Sequence, residues 1–237
     1  AMFTTVEEEL LRRDLDEFET QHLANMAWAF VFLKFSRFHR LSKSGLRLLE
    51  AVLDAADRRL HLFSIEELRQ LGQVVMASRT KEDGPERGFA LRVKEAMKAA
   101  YDSQSLLEPD SSEFHLEVAH MLKLLGVPHH NEVKVFEGVY HIDIVVGHGD
   151  PQDSRGKIAV EVDGPSHFVA GTEEINPHTA LKRWLLAREG YKVLSIPFFD
   201  WGSLQGGAVC TAYMAYQLED VGWNLETMSL DPLPAEE

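Results

Sequence analysis

KIAVEVDGPSHFVAGTEEINPHTALKRWLLAREGYKVLSIPFFDW occupies residues 157–201, and its grammar decides the fold. Residues 157–164 read as a strand. Its alternation puts Val160 and Val162 on one face and Glu161 and Asp163 on the other. DGPSHF reads as a turn, with Gly164 supplying a left-handed or tight conformation and Pro165 fixing φ. A helix follows over Thr179–Glu189, then a further strand over YKVLSIPF, 191–198. Phe198 and Trp201, where that strand ends, read as core aromatics.

Upstream, HNEVKVFEG (130–138) and YHIDIVVG (140–147) are strand-like and meet at a turn near Gly138-Val139. Before them, SEFHLEVAHMLKLLG (112–126) is an amphipathic helix, with Phe114, Val118, Met121, Leu122 and Leu125 inward and Gly126 as its stop. Downstream, GGAVCTAYMAYQLEDVG (206–222) closes the domain as a helix. Helix, three strands, helix, strand, helix is an α/β order, a sheet flanked by helices.

The first half is helical throughout. Apolar residues recur at helical spacing through Leu15, Phe18, Leu23, Met26 and Phe30, then Leu46, Leu49, Val52 and Leu53. Ser64 with Glu67 forms a capping box, and Pro85 opens a helix carrying Phe89, Val93, Met97 and Tyr101. FETQHLANMAWAF from Phe18 lies over FSIEELRQLGQVV from Phe63 at an offset of 45 residues, pairing Leu23 with Leu68 and Met26 with Leu71. Paired helices at that period suggest two solenoid-like repeats, an ordinary four-helix cap being the alternative. SLLEPDSS (105–112) breaks the pattern, dividing the chain into a helical segment 1–108 and an α/β domain 109–237.

Composition narrows the function. The net charge is −14: residues 1–110 hold 16 basic and 19 acidic side chains, whereas residues 111–237 hold 8 and 19. So acidic a C-terminal half suits divalent cations or protein partners better than a phosphate backbone, unless a local basic stripe intervenes. One cysteine, Cys210, excludes an internal disulfide framework and a multi-cysteine zinc site. His115 and His120 are five apart, and His129, His130 and His141 lack ligand spacing, so zinc is not expected. No apolar run approaches the ~18 residues that span a bilayer, and no membrane partner is expected. Ala1-Met2 reads as the start of a chain trimmed of its targeting segment.

The chemistry concentrates on Asp143, Glu161 and Asp163. Two acids on one face of an apolar strand, with a third on its neighbour, are costly to bury unpaired. Two resolutions stand open. Asp143 and Glu161 ligate Mg²⁺ or Mn²⁺ through hard oxygens, or the acids pair with lysine, arginine or a helix N-terminus. His167, whose imidazole titrates near neutrality, is a candidate general base or phosphate ligand.

IAVEVDGPSHF followed by TALKRWLLAREGYKVLSIPFFDW resembles the RAP domain of organellar RNA-binding proteins, carried also by the FAST kinase family. SSEFHLEVAHMLKLLG resembles the helix that precedes it, and LANMAWAF the helical repeats upstream. The RAP domain is in turn similar to the PD-(D/E)xK nucleases, especially their very short patch repair branch. That resemblance implies a restriction endonuclease-like α/β (α+β) fold behind an all-α repeat segment. It makes Asp143 the first metal-binding aspartate and Glu161 the acid of the (D/E)xK strand. Asp163 stands where that strand's lysine is expected, a departure. Lys182 is the candidate replacement, with Arg183 beside it.

Three functions are implied. The first is a factor that binds or processes single-stranded organellar RNA, contacting it through Lys182, Arg183, Arg37 and Arg40, in company with other RNA-processing or ribosomal proteins. The second is a divalent-metal-dependent endoribonuclease using Asp143, Glu161 and Lys182, with Asp163 and His167 in the same catalytic group. The third is a structural component of an organellar ribosome or similar assembly. Without catalysis no cofactor is implied. The mitochondrion is the first location implied and the chloroplast the second. Arg37–Arg47 reads equally as a solvated helix junction.

Overall fold

A computed structural model describes residues 2–35, 43–78, 86–103 and 112–230. The chain forms two compact units, residues 1–107 with 136–139 and residues 108–135 with 140–237. Arg37 and Arg40 lie outside the described residues.

The first unit is helical: α1 (Met2–Leu10), α2 (Thr20–Phe35), α3 (Lys43–Asp57), α4 (Ile65–Ser78) and α5 (Glu86–Ser103). The offset of 45 is also a spatial register. A 3-10 turn, Leu15–Glu17, precedes α2, and its counterpart, Leu60–Leu62, precedes α4. Phe18 and Phe63 close these turns by donating backbone N–H groups to Leu15 and Leu60. Equivalent positions then meet, Trp28 Nε1 donating to Gln73 Oε1 at 2.6 Å and Gln70 Nε2 to Asn25 Oδ1 at 3.4 Å. Arg59, just past α3, donates to the carbonyls of Asp16 at 2.8 Å, Phe18 at 3.0 Å and Leu15 at 3.3 Å. It thereby satisfies the backbone ahead of α2. The Ser64–Glu67 capping box is formed, with bonds of 2.7 and 3.3 Å. Gly72 in α4 is needed for close approach, because a Cβ there would lie 2.6 Å from Val139 Cγ2.

The second unit is mixed α+β. In order it contains α6 (Glu113–Leu124), β1 (His129–Val135), β2 (Tyr140–Val146), β3 (Ile158–Asp163), α7 (Pro177–Arg188), β4 (Lys192–Pro197), α8 (Phe198–Ser203) and α9 (Gly207–Asp220). Two short strands, β5 (Trp223–Asn224) and β6 (Ser229–Leu230), form a separate pair. The main sheet has the order β1-β2-β3-β4. β1–β2 and β2–β3 are antiparallel, with Val133 opposite Ile142 and Ile144 opposite Val160. β3–β4 is parallel, with Glu161 opposite Ser195 and Asp163 opposite Pro197. A parallel pair needs a crossover, and α7 supplies it. Asn176 caps α7 by accepting the Thr179 N–H at 2.9 Å, and Pro177 occupies its first turn.

Val118 and Leu122 of α6 and Met214 and Leu218 of α9 bury against Ile144, Val146, Val160, Val162 and Ile196. At ~1.5–3 kcal/mol per fully buried aliphatic side chain, this layer is the main stabiliser of the unit. It also fixes the register of β3, since a one-residue slip would turn Glu161 and Asp163 into it. Gly164 departs from expectation: its φ is −69° and its ψ 175°, extended backbone open to any residue, and Pro165 begins a 3-10 turn instead. Among the described residues no helix is long and apolar enough to cross a membrane.

Candidate functional site

The polar face of β3 carries the site. The ladder between β2 and β3 runs from Val146–Ile158 to Ile144–Val160. One step beyond it, Asp143 Oδ2 accepts the Val162 N–H at 2.7 Å. A carboxylate thus takes the donor that the ladder leaves unpaired.

Glu161 is 1% exposed. Lys182, arriving from α7, donates to its Oε2, while Oε1 is buried with no hydrogen-bond partner among the described residues. Burial pushes the Glu161 carboxyl up to about 7, against the opposing pull of the Lys182 charge; Asp143 and Asp163 add to the rise. Lys182 responds in the complementary direction. Its burial alone would lower it, but the charges of Glu161 and Asp143 hold it above the ordinary lysine value.

Asp163 is fully buried and fully engaged. It accepts from Arg183, from Ser195 Oγ at 2.5 Å and from His167 Nδ1 at 2.6 Å. Burial would raise this carboxyl, but the bonds from His167 and Ser195 and the Arg183 charge hold it below its ordinary value. The Asp163 bond in turn raises His167 above the usual imidazole value, with burial opposing. His178, in the first turn of α7, is lowered by burial and by the charges of Lys182 and His167.

The structure therefore brings Asp143, Glu161, Asp163, His167, Lys182 and Arg183 into one cluster. Ser195 and His178 are additional members. A lone serine among the apolar positions of VLSIP, and a histidine four residues before Lys182 on one helix face, were the available signals. Trp201 is buried and bonds Glu117 Oε2 at 2.8 Å. Phe198, expected in the core, is 38% exposed: β4 ends at Pro197, and the ring packs edge to face on Phe168 and Phe199.

Among the described residues no group of three or more His, Cys, Asp or Glu is placed to hold a metal ion. A Mg²⁺ ion, which commonly keeps several waters and takes only one or two carboxylates, would draw here on Asp143 and on the unpaired Glu161 Oε1.

Residues 160–208 match the family model of the RAP domain. The chain carries a RAP domain. The match runs from Val160 in β3 through α7, β4 and α8, and so includes Glu161, Asp163, His167, Lys182, Arg183 and Ser195, while Asp143 lies before it. A protein named "RAP domain-containing protein, chloroplastic" from Oryza sativa subsp. japonica is 26% identical over 192 residues, 80% of this chain. The chain spans 28% of that relative's length.

Proposed function

We propose that this chain is an RNA-binding factor of an organelle, with single-stranded RNA as its ligand and RNA processing as its role. The RAP match over β3–α7–β4 carries this reading, because those elements hold every cationic member of the cluster. The name of the rice relative supports the chloroplast as the location and lends nothing to the mitochondrion. With a net charge of −14, affinity must come from a few local cations rather than from the overall field. Fluorescence anisotropy with labelled single-stranded RNA across a salt series tests the reading. The expected result is binding with a shallow slope, roughly 1–3 released counterions at ~0.7 per phosphate. No binding at low salt would end it.

A second reading, a metal-dependent endoribonuclease of PD-(D/E)xK type, draws on the buried Glu161 Oε1 beside Asp143 and Lys182. Asp143 and Glu161 would hold a divalent ion, which supplies Lewis-acid activation of water and phosphate. Lys182 places positive charge at the carboxylate pair, and Asp163 with Arg183 and Ser195 holds the neighbouring turn. Calorimetric titration of Mn²⁺ into the wild type, Asp143→Ala and Glu161→Gln tests it. Metal binding equal in all three would remove it.

A further inference from the structure

The His167 imidazole is built as an oriented base. Nδ1 donates to Asp163, whose second oxygen is held by Arg183 and Ser195, so the carboxylate cannot swing away. With Nδ1 as the donor, the neutral ring presents Nε2 as an acceptor. The side chain is 33% exposed, and Nε2 has no hydrogen-bond partner among the described residues. The backbone is equally fixed. The His167 carbonyl accepts the Asn176 N–H at 2.9 Å, and Asn176 Nδ2 donates to the Ser166 carbonyl at 2.7 Å.

An apolar shelf begins at the next residue and continues onto the end of β4. Phe168, Phe198 and Phe199 pack edge to face, with centroids 5.2–5.8 Å apart. Phe198, Val169 and Ile175 stay 38%, 43% and 36% exposed. An exposed aromatic packed against the residue that follows His167 suits an unpaired nucleobase, whose π-face stacks regardless of sequence.

We propose that His167, oriented by Asp163, is the general base for metal-free cleavage of single-stranded RNA, with the base next to the scissile phosphate resting on Phe198. The proposal rests on the RNA-binding reading above. His167 Nε2 takes the proton of a ribose 2′-hydroxyl. The 2′-oxygen forms a bond to the adjacent phosphorus and the P–O5′ bond breaks. The departing 5′-oxygen takes a proton from water, and His167 later returns its own to solvent. The products are a 2′,3′-cyclic phosphate and a 5′-hydroxyl, with no change of oxidation state. The groups acting on His167 are Asp163, Asp143, Lys182 and His178.

The test incubates the whole chain with labelled single-stranded RNA in EDTA, with anisotropy read in parallel. The expected products end in 2′,3′-cyclic phosphate, and a 2′-deoxy substitution at the cut position blocks them. His167→Gln lowers the rate by about 100-fold or more, the usual contribution of a positioned base, while RNA binding persists. Phe198→Ala weakens binding by roughly 5-fold or more, the low end of base-stacking effects. Binding without cleavage in EDTA, or fragments bearing 3′-hydroxyls that form only with added Mn²⁺, would overturn the proposal and leave the RNA-binding reading standing. Absence of RNA binding would overturn both.

Discussion

Replacing Lys182 with methionine keeps most of the apolar stem and removes the cation bonded to a buried carboxylate. In the wild type, Glu161 stands at about 7 rather than its ordinary 4.5. A carboxyl raised by folding holds a proton that the unfolded chain has already released, so it costs stability as pH climbs from 4.5 through 7. Above that range the wild-type group is ionised and its cost is level. Lys182, raised above 10.5, stays charged throughout and adds no slope below that value. Without Lys182 the carboxyl rises further and remains protonated, so the cost keeps growing by about 1.4 kcal/mol per pH unit. The variant's deficit is therefore small near pH 5.5, within ~1 kcal/mol, and reaches about 3 kcal/mol near pH 9, within the ~3–5 kcal/mol range for breaking a buried pair. Urea unfolding followed by the fluorescence of buried Trp201 and Trp223 reads it at both pH values. In Glu161→Gln/Lys182→Met the extra slope disappears. A deficit equal at both pH values, or none at the higher, would refute the assignment of Glu161 as the titrating partner.

Ring-proton NMR should place the His167 titration above 6.5, since the Asp163 bond favours the imidazolium. The associated stability is present below 6.5 and lost as pH rises through the folded value, and Asp163→Asn should move the titration downward. Gly72→Ala should destabilise despite better helix propensity: overpacking against Val139 at 2.6 Å costs ~1–3 kcal/mol against a gain of ~1. Thermal unfolding checks this, and adding Val139→Ala should recover the loss. Arg59→Ala should cost about 2–3 kcal/mol in the same assay, because three carbonyls lose a charged donor.

Two properties of this chain follow from sequence alone. Alternation over Ile158–Asp163 places Glu161 and Asp163 opposite Val160 and Val162, because a strand's period of two is a local property. The 45-residue offset likewise matches α2 with α4, because the same apolar spacing recurs from Phe18 and from Phe63, whereas the meeting of Trp28 with Gln73 and of Asn25 with Gln70 is a finding of the structure. What covers the acidic face of β3 is not local. Lys182 and Arg183 are adjacent on one helix, yet Lys182 reaches Glu161 and Arg183 reaches Asp163, a division set by how α7 crosses between two parallel strands. The same crossing recruits Ser195 from β4, and Phe198, one residue past that strand, stays partly exposed. Periodicity tells a residue which way to face. Only packing decides what it meets there, and for a buried charge that partner determines its protonation and its chemistry.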